Sequence, residues 1–462
     1  MKHFRQNLTF RSVSLIAFEA GVIVGAVVAA AYLRLSAETW AATGWEVLVA
    51  KAGLVGLTTQ VCLYYAELYE LRIVADRREL LARLVQALGA ASLLLGVVYF
   101  WAPRLIIGRG VFAIAAAFVV VGVTGWRLVF EWTTRRLGPR ERLLLIGTNA
   151  NAVALARELY DRRELGLEIV GFIDPDPRKI GMPVINPGII GTIDDIPRII
   201  RERRVDRVVV SLADARGQLP MDKLLALKMG GVSFDHLATV YEDYTGKIAV
   251  ENLRPSWLIF SEGFARSRVR AAVKRAFDVL LALAGLAAGC VLFLITAVLV
   301  KISSPGPILY RQRRVGQDGV DFTILKFRSM RQDAEAATGA VWAQKNDTRI
   351  TAIGAFLRKS RLDELPQLWN ILRGDMSFVG PRPERPEFVH DLTVQIPYYG
   401  QRHVVKPGLT GWAQVKYPYG STVQDALEKL QYDLFYIKHL SIGLDLFIML
   451  KTIKTVILRK GL

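Results

Sequence analysis

Cysteine is almost missing from this 462-residue chain. Only Cys62 and Cys290 occur, each inside an apolar stretch and far from the other, which leaves neither a disulfide framework nor a cysteine zinc site. Histidine is nearly as scarce. His3, His236, His390, His403 and His439 form no i, i+4 pair, so the usual helix-borne metal site is excluded too. Acidic balance is also lacking, with 60 Lys and Arg against 42 Asp and Glu and a formal net charge of +18. An excess of that size fits nucleic acid or an anionic bilayer surface. What the chain has in quantity is apolar residues, 52% of the whole, gathered in long runs beside the basic clusters. That arrangement favours the bilayer, and no nucleic-acid partner is expected.

Four apolar segments, roughly 12–33, 46–69, 84–101 and 105–130, each approach the ~20 residues of a spanning helix. The first lacks a small-residue cleavage site after it, which reads as an anchor and not a signal peptide. Lys2, Arg5 and Arg11 precede the first segment, and Arg72, Arg77, Arg78 and Arg83 separate the second from the third. Arg135, Arg136, Arg140 and Arg142 follow the fourth, while the other two loops carry mainly Arg34, Arg104 and Arg109. The positive-inside rule then puts the N-terminus and everything after residue 135 in the cytoplasm, with residues 1–135 as a four-helix transmembrane region. Glu19 and Lys51 fall inside spans, where a helix–helix hydrogen bond or snorkelling accounts for them better than a polar pathway.

Residues 136–265 change pattern. Short apolar runs at Leu143–Gly147, Glu168–Asp174 and Arg207–Ser211 alternate with helical stretches at 150–162 and 194–200. Alternation of that kind predicts a parallel, doubly wound sheet, a Rossmann-like α/β domain. Asp174 ends the second run, where an acidic residue would meet a ribose in a dinucleotide fold. The loop after the first run, Gly147-Thr-Asn-Ala-Asn-Ala152, lacks the second glycine of Gly-x-Gly-x-x-Gly. Close backbone approach to a pyrophosphate needs that glycine, so the default is a structural or regulatory module with no cofactor.

A fifth apolar run, 276–300, has basic residues on both sides: Arg266, Arg268, Arg270, Lys274 and Arg275 before it, Lys301, Arg311, Arg313 and Arg314 after. Two positive flanks argue for a helix that enters and returns on one face, a re-entrant membrane helix over 276–304. Gly285 and Gly289 are the only helix-weakening residues available for its break. The competing reading is a plain fifth span with an external domain.

Asp363 and Glu364 stand just ahead of a run whose apolar residues, Leu365, Leu368, Trp369 and Leu372, have helical spacing, with Pro366 placed for the first turn. Both carboxylates should therefore lie at a helix N-terminus, amid Arg358, Arg361, Arg373 and Arg382. An isolated Asp-Glu pair reads most simply as a helix cap with solvated charges, and Lys326 and the arginines as membrane-surface charge. Trp369 and Trp412 read as packing residues.

Several separated blocks go further. Ser304-Pro-Gly-Pro307, Tyr310–Gly316, Phe322–Met330, Arg358–Pro383, Lys406–Val415 and Gln431–Tyr436, in this order, resemble the bacterial sugar transferase family, the polyprenyl-phosphate phosphoglycosyl transferases. The resemblance covers residues 273–462, and the N-terminal part looks like the family's larger members. Tyr417-Pro-Tyr-Gly420 with Ala426–Tyr432 looks like an exopolysaccharide- and exosortase-associated subset. The resemblance implies an α-rich catalytic domain over 266–462 and a two-step exchange on a UDP-sugar. Asp363 would be the nucleophile that takes the sugar phosphate and releases UMP, and Glu364 the magnesium-binding partner. Undecaprenyl phosphate would then accept the sugar phosphate. Lys326 and Arg358 would contact phosphate, Gly380, Pro381, Arg382 and Pro383 would form part of the nucleotide site, and Asp433 would support it.

The implied setting is the bacterial inner membrane with the catalytic domain cytoplasmic, where nucleotide-linked donors are found, and a dimer is plausible from the family. Two departures stand out. Ala288-Gly289-Cys290 replaces the proline usual in the membrane helix, and Lys416–Gly420 replaces an Asn-Gly-Arg that often follows Trp-Ala-Gln-Val. The alternative from another class is a non-catalytic membrane scaffold or sensor reading a nucleotide through residues 142–230. A transporter reading finds only Glu19 and Lys51 in its support.

Overall fold

The computed structural model describes residues 10–35, 44–66, 68, 69, 77–107, 109–137, 141–161, 166–211, 221–250, 261, 263, 264, 267–331, 349–417, 420 and 422–457. Lys2, Arg5, Arg72, Arg140 and Arg266, on which the expected membrane orientation partly rests, lie outside the described residues, as do Pro418 and Tyr419. The chain divides into two compact units, Met1–Val240 and Tyr241–Leu462.

The first unit opens with four long apolar helices: α1 (Phe10–Arg34), α2 (Trp45–Tyr65), α3 (Arg77–Trp101) and α4 (Arg109–Leu137). Helix α1 packs against α4 and α2, and α2 against α3. Ile23, Val27, Ala30 and Ala31 of α1 are buried, while Leu93, Val97, Trp101 and Val121 stay exposed. A bundle that is apolar outside as well as inside suits a hydrocarbon surround. A deeply buried charged pair is fully satisfied: Arg127 Nε donates to Glu19 Oε1 at 2.6 Å and Nη2 to Oε2 at 3.0 Å, both side chains fully buried. Arg127 Nη1 also donates to the Leu68 carbonyl. Glu19 is thus an interhelical partner, as expected, and Lys51 Nζ reaches the Ile106 carbonyl at 3.0 Å.

The same unit carries the expected parallel sheet. Strands β1 (Glu141–Ile146), β2 (Leu167–Ile173), β3 (Ile189–Gly191), β4 (Arg207–Val210) and β5 (Ser233–His236) pair in the order β3-β2-β1-β4-β5, every pairing parallel. Helices α5 (Ala150–Asp161), α6 (Ile196–Arg203) and α7 (Met221–Met229) connect them. Strand β1 is central, and Leu143–Ile146 are fully buried, which is why its sequence is a continuous apolar run.

In the second unit a 36-residue helix, α8 (Arg268–Ser303), precedes a hairpin of β6 (Leu309–Val315) and β7 (Asp321–Phe327). Next come α9 (Ala352–Ser360), a 3₁₀ turn at Leu362–Glu364, α10 (Gln367–Arg373), β8 (Ser377–Val379) and α11 (Pro386–Gln395). Strand β9 (Gly408–Thr410) pairs parallel with β8, followed by α12 (Trp412–Lys416), α13 (Val423–Lys438) and α14 (Ile442–Ile457). The core gathers around Trp412, stacked on Phe435 at 5.9 Å, with its Nε1 donating to the Gly246 carbonyl at 3.0 Å. Trp412 is the packing residue expected. Trp369 is not: it is 53% exposed, because α10 turns Leu368 and Ile371 inward and leaves the tryptophan on the opposite face.

The long helix α8 also differs from expectation. It begins at Arg268, capped by Ser267, and stays helical through Gly285 and Gly289 to Ser303. Leu and Ala, strong helix formers, surround both glycines and outweigh their roughly 1 kcal/mol cost. Gly285 serves packing: a Cβ there would stand 3.3 Å from Leu368 Cδ1, so the glycine lets α8 approach α10.

Helix α8 is held at both ends by the rest of its unit. Near its start, Arg275 donates to the Ile371 and Leu372 carbonyls, Asp278 Oδ1 accepts from Phe378 N–H at 3.1 Å, and Lys274 pairs with Asp445 at 2.7 Å. Near its end, Phe293 packs on Phe327 with ring centroids 4.8 Å apart, and Val300 is buried with Phe327 and Leu357. Between these anchors Leu280, Leu283, Val291, Leu294, Ile295 and Val298 are exposed.

Candidate active site

The carboxylate pair sits where three local devices meet. Helix α9 ends at Arg361, whose left-handed backbone (φ 58°) turns the chain into the 3₁₀ turn that carries Asp363 and Glu364. Pro366 follows as the N-cap of α10, one position earlier than expected, and α10 has only seven residues. Its terminus is too short to dominate the electrostatics. Side-chain cations do so instead.

Glu364 is surrounded by them. Its Oε1 lies 3.0 Å from Arg382 Nη2, 3.5 Å from Lys326 Nζ and 3.5 Å from Arg361 Nη1. Burial alone would raise this carboxyl, but Arg382, Lys326 and Arg361 outweigh it and hold Glu364 at about 2. Asp363, one residue away, is treated differently. It too is buried, its Oδ1 has no hydrogen-bond partner among the described residues, and burial together with the Glu364 charge raises it above the usual aspartate value. Two adjacent carboxylates are thus pushed in opposite directions by their surroundings. Such a split assigns different chemical roles to neighbouring acids. An orphaned buried carboxylate oxygen is costly, and functional sites are where that cost is retained.

Lys326 comes from β7, directly across the hairpin from Tyr310. Burial lowers its amine to about 8, with Glu364 pulling upward and Arg382 pushing down again. Arg358, on the last turn of α9, makes no side-chain hydrogen bond or ion pair among the described residues, and its charge lowers Asp363. It is a half-buried cation beside a buried carboxylate.

The Gly380–Pro383 loop brings Arg382 into position and is fixed from several sides. Gly380 N–H donates to the Thr410 carbonyl at 2.9 Å, and Gly408 N–H to the Pro381 carbonyl at 2.9 Å. A Cβ on Gly380 would stand 2.4 Å from the Lys406 carbonyl oxygen, so only glycine permits this approach. Arg314 Nη1 donates to the Pro383 carbonyl at 3.2 Å, and Arg402 Nη2 to the Arg382 carbonyl at 3.0 Å. Among the described residues, Asp433 reaches the site through that last arginine. It is 1% exposed, and its Oδ2 accepts from Arg402 Nε at 3.1 Å and Nη2 at 2.8 Å. Burial pushes Asp433 up to about 6 against the pull of Arg402.

The fold therefore brings Asp363, Glu364, Lys326, Arg358 and Arg382 together, with Gly380, Pro381 and Pro383 as the backbone that carries Arg382. Sequence reasoning passed over Arg402, Arg361's contact with Glu364 and Asn370, which ties β7 to α10. His403 beside Arg402 gave no hint, since nothing in residue spacing marks a buried arginine.

The model of the bacterial sugar transferase family matches residues 269–459, the stretch that holds the site, and a CoA-binding domain model matches 65–219. The chain is 42% identical over 364 residues to the UDP-glucose:undecaprenyl-phosphate glucose-1-phosphate transferase of Escherichia coli (strain K12), covering 74% of this chain and 73% of that protein. The chain belongs to the bacterial sugar transferase family. Other relatives include the UDP-N-acetylgalactosamine-undecaprenyl-phosphate N-acetylgalactosaminephosphotransferase of Aeromonas hydrophila, 40% identical over 55% of this chain and 59% of that one. The UDP-glucose:undecaprenyl-phosphate glucose-1-phosphate transferase of Xanthomonas campestris pv. campestris is 36% identical, over 68% and 66% respectively. The chain spans 59%, 66% and 64% of three such relatives, less than two thirds of each.

Within this sugar transferase chain the sheet of the first unit has polar groups at the ends of β1, β2 and β4, and they engage one another. Asp174 accepts from Thr148 Oγ1, from Asp176 N–H at 3.0 Å and from Lys179 Nζ at 3.1 Å. Asn149 Oδ1 accepts from Ala152 N–H at 2.9 Å and from Ser211 Oγ at 2.8 Å. The acid expected to meet a ribose already has three protein partners.

Proposed function

We propose that this chain transfers a sugar 1-phosphate from a UDP-sugar to polyprenyl phosphate, with Asp363 as the attacking carboxylate. The observation that carries the reading is the buried Oδ1 of Asp363, without a hydrogen-bond partner among the described residues, beside a Glu364 whose Oε1 faces three cations. Relatives named for this reaction with UDP-glucose and UDP-N-acetylgalactosamine support it. In the first step an Asp363 oxygen forms a bond to the sugar-bearing phosphorus, the phosphoanhydride breaks, and UMP leaves with the bonding electrons. In the second, the phosphate of the lipid attacks the same phosphorus and frees the carboxylate. Arg358 and Lys326 would face the diphosphate and offset its charge, while Arg382 and Arg361 hold Glu364 in place.

The donor set suits magnesium, a cation that takes one or two carboxylates together with substrate phosphates. Glu364, with Asp363 beside it, would hold it, and when bound it supplies charge neutralisation of the diphosphate.

Four spanning helices in the first unit and a membrane-embedded α8 complete the proposal. Because the second unit grips α8 from Arg275 to Val300, both of its ends stay with one domain, which favours a helix that lies in one leaflet over a full crossing. The site then faces a cytoplasmic membrane surface that soluble donor and lipid acceptor can both reach, with exopolysaccharide assembly as the setting and a homodimer as the assembly.

The test is UMP release by purified protein with a panel of UDP-sugars, magnesium and undecaprenyl phosphate. Asp363→Asn should abolish both release and the covalent adduct on the chain. Normal turnover by that variant would overturn the assignment.

A further inference from the structure

Lys326 and Arg382 meet at one oxygen of Glu364 but come from different elements, the hairpin and the loop after β8. A third cation, Arg314, stands where those two elements touch. Register across the hairpin sets Tyr310 opposite Lys326, Gln312 opposite Ile324 and Arg314 opposite Phe322. Gln312 and Arg314 therefore share the face of Lys326, while Arg311 and Arg313 are exposed on the other face. Beside a carboxylate pair ringed by cations, the plain expectation for Arg314 is one more contact to the donor's diphosphate.

Its hydrogen bonds point elsewhere. Arg314 Nε and Nη2 donate to Gln312 Oε1 at 3.1 and 2.7 Å, and Nη1 donates to the Pro383 carbonyl at 3.2 Å. Each guanidinium nitrogen thus has a protein acceptor, and Glu384 Oε2 lies 3.6 Å from Nη1 as a counter-charge. Burial and the charges of Arg382 and Arg385 lower this guanidinium from its ordinary value, and Glu384 offsets them in part. What the buried cation holds is the backbone of Arg382. Successive carbonyls there are each taken by a different donor: Pro381 by Gly408 N–H, Arg382 by Arg402 Nη2, Pro383 by Arg314 Nη1 and Glu384 by Val315 N–H. The last two donors belong to β6, so the hairpin that carries Lys326 also fixes the loop that carries Arg382. Lys326, Glu364, Arg382 and Arg314 close a ring through the two elements.

We infer that Arg314, braced by Gln312, is a positioning residue that acts through Arg382. It fixes the span between Lys326 and Arg382, and so the seat of Glu364, without touching the donor. The inference rests on the activity proposed above and adds a residue that governs its first step.

The test uses the full chain in phospholipid nanodiscs, with two readouts. One is the UMP burst from UDP-sugar without acceptor. Arg314→Met should slow it by about tenfold or more and Gln312→Leu by roughly threefold, since small misplacements near a reacting centre are costly. The half-saturating UDP-sugar concentration should stay within about twofold of wild type in both. Arg314→Lys, which keeps the charge and can reach the Pro383 carbonyl, should recover part of the rate. In an Arg382→Ala background, Arg314→Met should slow the burst no further. A half-saturating concentration that rises by about tenfold, or losses that multiply in the double variant, would make Arg314 a diphosphate contact and overturn the inference. The other readout is hydrogen exchange of the peptide 377–388, which Arg314→Met should speed while the core peptide 430–437 of α13 keeps its wild-type rate. Unchanged exchange at 377–388 overturns the strut whatever the burst does. Gln312→Leu, which removes no partner of the loop backbone, carries both readouts should Arg314→Met fail to fold. Absence of any wild-type burst removes the activity, and exchange then decides the strut alone.

Discussion

The side chain of Asn370 is bonded edge-on to the backbone at Leu325, its Oδ1 accepting from the Leu325 N–H at 3.0 Å. Its Nδ2 donates to the Thr323 carbonyl at 2.8 Å and to Asp375 Oδ2 at 3.2 Å, and the residue is fully buried. One amide thereby joins α10 to the strand that presents Lys326. Asn370→Leu keeps the volume and leaves two half-buried backbone groups of β7 without their partner, at an expected cost of about 1–3 kcal/mol. Thermal unfolding in detergent should show the loss, and the KM for UDP-sugar should rise as Lys326 loses its register. Stability within about 0.5 kcal/mol of wild type would mean water replaces the amide.

Asp433 makes a different prediction from that of a substrate contact. Its carboxylate is occupied by Arg402, which in turn donates to the Arg382 carbonyl. Asp433→Ala leaves a buried guanidinium without its counter-charge and should cost about 3–5 kcal/mol. Asp433→Asn retains an acceptor and should cost less, with activity falling through a loosened Arg382. If Asp433→Asn folds as well as wild type yet loses donor binding altogether, direct substrate contact is the better account.

The pH profile of kcat/KM for the donor should be bell-shaped, since that ratio reports the free enzyme. On the acid side the nucleophile must be ionised, and burial with the Glu364 charge has raised Asp363, so activity falls at a higher pH than for an ordinary aspartate. On the alkaline side Lys326 loses its charge near pH 8, well below a free lysine, and its hold on phosphate goes with it. Lys326→Arg should keep the charge and move the alkaline limb upward by more than about one pH unit. An alkaline limb unmoved by that substitution would assign it to another group.

Much of this was legible in the sequence for physical reasons. Continuous apolar runs such as Leu143–Ile146 mark a strand buried on both faces, and the parallel sheet follows. The blocks holding Asp363, Lys326 and Arg382 could be read together only through their resemblance to the bacterial sugar transferase family, since Lys326 and Glu364 lie in blocks far apart in the chain. Gly285 misled, because a glycine that breaks a helix and one that admits a neighbour look alike until Leu368 is placed beside it. Arg402 and Asn370 were invisible for a related reason. Their partners lie 31 and 45 residues away, and no periodicity encodes a contact at that range.

The Glu19–Arg127 pair offers the sharpest test of the bundle. Both side chains are fully buried between α1 and α4, and two hydrogen bonds join them in a surround with no water to replace either partner. Removing one partner strands the other. Glu19→Leu should therefore leave Arg127 without its counter-charge, held by its bond to the Leu68 carbonyl and its place over the Tyr69 ring, and cost about 3–5 kcal/mol, seen as a lower unfolding temperature in detergent. Removing both is expected to be far milder, because Glu19→Leu with Arg127→Met replaces a desolvated pair by apolar residues of similar size. The double variant should recover most of what the single variant loses. If instead the two losses simply add, the pair is not coupled, and each residue must serve the bundle through contacts of its own.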